Sequence, residues 1–544
     1  MPLEHFSSAS QRSMLIAIIL FSFVAGGCAG SIVVSENTKV VSDRTFVDIP
    51  QSLGLFDPYR YAPEYFGDAY VPSLHASLTG GSTLFLHSPT PDSCIVELLN
   101  PMLQSVWSTS YYSTDDEFPM TIFAHNGNAF VIASRYRKPD TIECIVHTFD
   151  VANGHTMETQ ILASVPGTKD EMIKESHSSR KGCGPFMVRF SPDSSRILVY
   201  AVDYRRENNQ SRPPTRIYRA TLLDQRFARL GQDTLAFQFN SDMDISYGLW
   251  VDNRGTMVMP GCRKGNTMSV SRYDMRSGAP FEQRQFLGNE KTVGLLGRRV
   301  NVKVLNDGHV RLTGIMGSPG AREGIGIIAL DFDPIYDTPR TIINYTFQPA
   351  DSNKLRFYDE LPDGGFGVAD ICETPDKGSL VFVEQRYMAE VHTTKTVGKD
   401  PFSPAKTNTR TENSTDFYVI SGPVILFGFD AAGNNKTHVV LTKSYVAGGF
   451  RPEMAIGPGN TFVSSPIKDN RVSLIFLDKR EINLCTVDLN NGNLLVDHPL
   501  LKMGAGSVFM HSYTMWGDDN TLTIAGFERY AKTRLFKVDL ITTP

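Results

Sequence analysis

Several kinds of chemistry lack their residues in this chain. There is no G-x-S-x-G turn to present a hydrolase serine. There is also no P-loop and no H-E-x-x-H pair. Seven cysteines occur, but none forms a C-x-x-C, which leaves a structural zinc site without ligands. An excess of positive charge is missing too: 53 Lys and Arg stand against 58 Asp and Glu, a net charge of −5. With no basic field to hold a phosphate backbone, nucleic acid is excluded as a partner. No stretch carries the apolar period of a long amphipathic helix. No low-complexity block interrupts the chain either.

What the chain has is turns. Its 44 glycines and 31 prolines are spread along the whole length, as many tight turns require. The stretch Phe190-Ser-Pro-Asp-Ser-Ser-Arg-Ile-Leu-Val-Tyr200 shows the unit. Pro192 fixes φ and Asp193 offers a short acceptor. Ile197 to Tyr200 then supply a β-branched and aromatic strand. Comparable turns precede short apolar strands at Gly80-Gly81, Asn126-Gly127, Asn253-Arg-Gly255, Asn306-Asp-Gly308, Pro362-Asp-Gly364, Gly457-Pro-Gly-Asn460 and Asp518-Asp-Asn520. With Asp193-Ser194 these make eight openings.

A second turn closes a later strand in the same unit. Asp150-Val-Ala-Asn-Gly154, Asp274-Met-Arg-Ser-Gly278 and Asp488-Leu-Asn-Asn-Gly492 share one pattern, with Asp430-Ala-Ala-Gly433 a shorter form. Strand, strand, strand, Asp-turn, strand is the grammar of a four-stranded antiparallel blade. The chain is therefore expected to be all-β, a single β-propeller of eight blades. Seven is the alternative count, because Pro101 interrupts the first unit. The last unit has three strands, so one from the N-terminal region, around Phe46-Val-Asp-Ile49, is expected to complete it and remove an open edge. Two polar insertions, Asp203 to Pro214 and Lys395 to Thr415, read as loops projecting from a blade. The Phe190–Tyr200 unit resembles the FSPDG-type repeat of WD40-like and TolB-like bacterial propellers, with Ser194 in place of the usual Gly. That resemblance implies the fold and is silent on activity.

At the N-terminus, Arg12 is followed by Met14–Val24, an apolar run of 11 residues. That is short of the ~20 needed to cross a bilayer and suits a signal-peptide core. Ala25-Gly-Gly-Cys28 comes next and resembles the lipobox of bacterial lipoproteins. The resemblance implies cleavage before Cys28, a diacylated Cys28 thiol and an acylated new amine. Ala29 in place of Asp implies the outer membrane rather than retention at the inner one. Residues 1–27 are then the signal peptide, 28–44 a polar tether and 45–544 the propeller.

The remaining cysteines are Cys94, Cys144, Cys183, Cys262, Cys372 and Cys485. An even number in an exported chain permits disulfides, yet Cys94, Cys144 and Cys485 lie in apolar strand runs and read as small buried hydrophobes. Trp107, Trp250 and Trp516 share no phase, which departs from the quinoprotein propellers that repeat Trp in their blades. Gly317-Ser-Pro-Gly320 with Gly324-Ile-Gly326 suits a hairpin better than a phosphate cradle. Asp331-Phe-Asp333 offers two carboxylates to calcium without EF-hand spacing. A glycan-cleaving pair needs two carboxylates about 5 to 9 Å apart, for which Asp203, Asp370, Glu384 and Glu390 are candidates.

These features predict no catalytic, cofactor or metal residue and one modified residue, Cys28. The expected role is a lipid-anchored module that binds a protein or glycan at the outer membrane, facing the periplasm or the cell surface. The alternative is a glycan-active enzyme with carboxylates in the central funnel.

Overall fold

A computed structural model describes residues 32–36, 38–47, 75–78, 80–90, 93–111, 116–169, 186–205, 215–238, 245–246, 248–263, 267–275, 282–287, 294–295, 300–317, 324–333, 339–347, 365–397, 410–443, 445–448, 462–504, 508–509, 514–517, 521–528 and 532–540. The described residues form eight antiparallel sheets, each built on four strand positions. The innermost strands of neighbouring sheets touch, so strands run A to D from channel to rim. The fold is an eight-bladed β-propeller.

Blade 1 comprises His75–Ser77, Thr83–Thr90, Ser93–Leu99 and Ser105–Tyr111. Blade 2 comprises Glu117–His125, Asn128–Arg137, Thr141–Asp150 and Thr156–Pro166, and blade 3 Phe186–Phe190, Arg196–Arg205, Thr215–Asp224 and Arg229–Gln238. In blades 4, 5 and 8 two short pieces share the A position. They precede Thr256–Arg263, Thr267–Asp274 and Glu282–Leu287 in blade 4, and Val310–Gly317, Gly324–Phe332 and Arg340–Thr346 in blade 5. Blade 6 comprises Gly365–Glu373, Ser379–Val397, Arg410–Phe429 and Asn435–Leu441, with Tyr445–Gly448 added. Blade 7 comprises Phe462–Ser464, Arg471–Asp478, Glu481–Asp488 and Leu494–Lys502.

Blade 8 closes the ring. Its B and C strands, Thr521–Glu528 and Lys532–Asp539, are the last strands among the described residues. The D position is filled from the start of the chain by Val40–Val47, running antiparallel to the C strand from Val40↔Val538 to Val47↔Lys532. The expected closure by an N-terminal strand is present, and the strand begins five residues before Thr45. Val33–Val34 adds a further strand to the rim of blade 7, and Ile32 is buried between blades 7 and 8. Of the expected tether, residues 32–36 and 38–44 are therefore held against the ring. Ile32, Val33, Val34, Val40 and Val41 are apolar enough to be held, and the propeller begins by residue 32 rather than 45.

There is no single central core. The buried apolar clusters each join adjacent blades, as Val188 and Val199 of blade 3 pack with Ile132 and Val146 of blade 2. Leu535 and Ala525 of blade 8 share a cluster with Leu84 and Val96 of blade 1. B and C strands are thus covered on both faces, which explains continuous apolar runs such as Leu380-Val-Phe-Val383, all four of them buried. D strands meet solvent at the rim, and strand D of blade 2 alternates in burial only over its second half.

The Asp-turns between C and D serve the ring as well as the hairpin. Asp150 accepts from the N–H of Ala152 at 2.9 Å and its carbonyl from Gly154 N–H at 2.7 Å. Asp488 repeats both bonds with Asn490 and Gly492. Gly154 has φ of +73°, and a Cβ there would lie 2.5 Å from the Trp107 ring of blade 1. Gly433 and Gly492 meet Ile342 and Thr437 of their preceding blades in the same way. Only glycine satisfies both the positive φ and the close approach.

Two of the eight expected openings are displaced. Pro362–Gly364 and Gly457–Asn460 lie outside the described residues and precede strand A of blades 6 and 7. The A–B turns of those blades are at Thr374–Gly378, with Lys377 at φ +64°, and at Lys468–Arg471, with Asp469 and Asn470 at +51° and +54°. Asp518–Asn520 also lies outside the described residues, between strands A and B of blade 8.

Candidate functional site

An antiparallel meander puts its A–B and C–D turns on one face of the ring and its B–C and D–A connections on the other. The first face is tight. Neighbouring A–B turns are laced together there: Asn253 Oδ1 accepts from Asp193 N–H at 3.0 Å, and Asn253 Nδ2 donates to Asn306 O at 3.0 Å. Arg272 of blade 4 donates to Gly308 O and Phe332 O of blade 5. The second face carries the long connections, including residues 206–214 and 170–185. Loops on a rigid frame are where binding residues concentrate.

Among the described residues, the largest feature of the loop face is a ribbon on blade 6. Strands B and C of that blade are 19 and 20 residues long, against 7 to 10 in the other blades. They stay in register from Arg386↔Ser421 to Val397↔Arg410. Val446 and Ala447 pair with Ile420 and Val419 at the root. Beyond Ala389↔Tyr418, eight paired residues per strand continue, among the described residues, as two strands alone, about 26 Å at 3.3 Å per residue. The expected loop from Lys395 to Thr415 is in part strand: residues 395–397 and 410–415 extend the ladder. Thr and Val in this insertion favour a strand over a loop, a signal outweighed in the sequence by its polarity.

The root is a built joint. The register slips between Glu384 and Arg386, setting Gln385 opposite Gly422-Pro423. Pro423 cannot donate to the ladder, and a bulge accommodates it. A Cβ at Gly422 would lie 2.6 Å from Gln385 Oε1 and 3.3 Å from its Cβ, so a larger residue there would have to displace the Gln385 side chain. Beside the joint, Lys443 Nζ reaches Glu384 Oε1 at 2.6 Å, with the lysine side chain fully buried and the glutamate 4% exposed. This pair bolts the end of strand D to the strand that becomes the ribbon.

The candidate carboxylates separate on this frame. Glu384 continues the row of Leu380 and Phe382, which packs toward blade 7. Asp370 lies on strand A opposite Phe382, and Lys303 Nζ of blade 5 is 3.7 Å from its Oδ1 and also donates to Ile371 O. Each carboxylate is thus engaged by its own lysine, Asp370 by Lys303 of blade 5 and Glu384 by Lys443. The side chains of Asp203 and Glu390 lie outside the described residues. Cys372 donates to Asp370 Oδ2 at 3.6 Å. Burial, reinforced by the Asp370 charge, pushes its thiol up to about 11, which leaves it inert near neutral pH.

Other expected sites are structural. Asp331 is held by Arg311 at 2.6 and 2.7 Å, so it is not open to calcium, and Asp333 lies 3.2 Å from His309. Among the described residues no three acidic, Cys or His side chains are grouped to hold a metal. Cys94, Cys144 and Cys485 are buried, and burial raises the Cys485 thiol to about 12. Gly317–Gly326 spans the B–C hairpin of blade 5. Lys443 and Lys303 were not legible as partners, because each is distant in sequence from its carboxylate. Cys28 lies outside the described residues.

No family model matches the chain, and no curated relative matches it either. Solved structures do. A protein from Lactobacillus plantarum aligns over 76% of this chain and 93% of its own, at 12% identity and a TM-score of 0.36. The WD40 domain of SCAP from fission yeast aligns over 85% and 93%, at 9% and 0.35. TolB from Acinetobacter baumannii aligns over 78% and 80%, at 12% and 0.23. The chain is similar to WD40 and TolB-like propellers in fold, and the eight-blade count rests on its own strand pairing.

Proposed function

We propose that this protein is a lipid-anchored binding scaffold at the bacterial outer membrane, and that it engages a protein or glycan through its loop face. The observation that supports the reading most is the ribbon of blade 6. A two-stranded hairpin is marginal by itself, yet here it rises from a bulged and ion-paired root that fixes where it starts. A rigid frame carrying one long projecting element suits recognition. Asp370 and Glu384 are each held by a lysine, which counts against the glycan-cleaving alternative.

A photo-crosslinking amino acid at Thr394, on the ribbon, and another at Asn126, on the tight-turn face, test this in membranes. One discrete adduct from Thr394 and none from Asn126 is expected. Adducts from Asn126 alone, or from neither position, contradict the reading. A shortened variant in which Asn-Gly joins Ala389 to Tyr418 should keep its melting temperature and lose the adduct partner.

A further inference from the structure

We propose that the loop face of blades 7 and 8 rests against the bilayer, with the tight-turn face directed away from it. The inference rests on the lipid-anchor reading of Cys28 and adds an orientation to it. The path of the chain start carries the argument. Strand D of blade 7 runs from the Asp488–Gly492 turn on the tight face to Lys502 on the loop face. Val33 pairs with Lys502, at the loop-face end, and Val34 with Leu501. Ser35 N–H donates to Leu500 O at 3.0 Å, and Lys39 O accepts from Asp539 N–H at 3.0 Å on the tight face. The chain thus descends the rim from the loop face before Val40–Val47 climbs back.

Its upper end is fixed. Ile32 is 4% exposed and packs with Leu501, Met503 and Phe509. A Cβ at Gly526 of blade 8 would collide with it. Arg534 Nη1 donates to Ile32 O at 3.3 Å. Cys28 precedes Ile32 by four residues, and four extended residues span at most about 14 Å. The nine-residue D strand of blade 7 sets the faces about 30 Å apart. A lipid on Cys28 is therefore leashed to the loop-face end of this rim, far nearer that face than the other. Exposed Lys479, Arg480 and Lys502 surround the exit, with exposed Glu481 and half-exposed Asp478 beside them. Val33 there is 56% exposed. A cationic rim with one exposed apolar side chain suits an anionic lipid surface. The ribbon of blade 6 leaves the same face, so whatever it binds lies on the membrane side.

The test uses full-length acylated protein in vesicles containing anionic phospholipid and a nitroxide-labelled lipid. A fluorophore is placed at Lys479→Cys or at Asn490→Cys, two exposed positions at opposite ends of blade 7. The background carries Cys183→Ser, Cys262→Ser and Cys372→Ser, with the other cysteines outside the anchor buried. Several-fold stronger quenching at position 479 than at 490 is expected. Equal quenching, as a rim-on pose would give, or stronger quenching at 490 overturns the orientation. Intact mass reports the anchor separately: protein without acyl chains on Cys28 defeats the anchor reading itself, whereas acylated protein with equal quenching defeats the orientation alone.

Discussion

Arg44 offers the sharpest test of how the ring is held closed. It sits on the N-terminal strand of blade 8 and reaches into blade 1. Its Nη2 lies 2.5 Å from Glu97 Oε1, and its Nη1 donates to Leu103 O at 3.2 Å. The Glu97 side chain is 6% exposed and Arg44 24%, and His87 Nε2 lies 3.4 Å from the other oxygen. Replacing Arg44 by Met keeps most of the packing and leaves a buried carboxylate short of its main partner. Such losses cost about 3–5 kcal/mol, and the exposed quarter of Arg44 with His87 still in place points to the lower end. At ~2.1 cal/mol/K per residue, ~500 cooperative residues give about 1 °C of melting temperature per kcal/mol, so a drop of ~3 °C is expected by calorimetry. Glu97→Gln in the Arg44→Met background should recover most of it. Burial pushes the Glu97 pKa up, but the hydrogen bonds from His87 and Ser105 and the Arg44 charge outweigh it and hold the carboxyl below its ordinary value. A depressed carboxylate stabilises the fold above its unfolded pKa of about 4.3, and the gain disappears as pH falls through the folded value. The gap between wild type and Arg44→Met should therefore close in acid. A gap that is equal at pH 7 and in acid, or a double variant that melts with the single one, refutes the reasoning.

Removing residues 29–31 should leave the melting temperature unchanged, whereas removing 29–41 takes Ile32 and the start of the closing strand and should lower it by several degrees. The loss of a buried Ile alone is worth about 1.5–3 kcal/mol. Gly154→Ala should cost more than Gly127→Ala in denaturant titrations. Both have positive φ, +73° and +77°, but a Cβ at 154 meets Trp107 while one at 127 meets nothing within 4 Å. The difference is about 1–3 kcal/mol of overpacking. Lys443→Met alone should be strongly destabilising, and Lys443→Met with Glu384→Leu close to wild type, since a buried pair loses most when only one charge is removed. Cys372 should alkylate slowly at pH 8 and faster as pH rises toward about 11, as followed by mass spectrometry.

Turns were the most legible part of the chain, because Asp, Asn, Gly and Pro act locally. Ser194 takes φ of +58° where the repeat usually has Gly, and the unit around it was still readable. Thr374-Pro-Asp-Lys-Gly378 follows the same grammar as Pro362–Gly364 and lies one strand later, and local turn chemistry alone does not choose between them. The hydrophobic runs marked strands but not which blade covers them, since both faces are buried. The closing strand was legible as a need of the last blade, and its start was not. Val40 and Val41 are flanked by Lys39, Ser42 and Asp43, and both are only half-buried. The joint at Gln385 and the Glu384–Lys443 pair were hidden because each unites residues from separate strands.

The proposed lipidation of Cys28 underlies both the proposed role and the orientation, and the N-terminal peptide of protein extracted from membranes tests it directly. After trypsin, mass spectrometry should find a first peptide that begins at Cys28, ends at Lys39 and carries a diacylglyceryl thiol and an acylated amine. A first peptide that begins elsewhere with a plain amine, or that keeps residues before Cys28, contradicts the account.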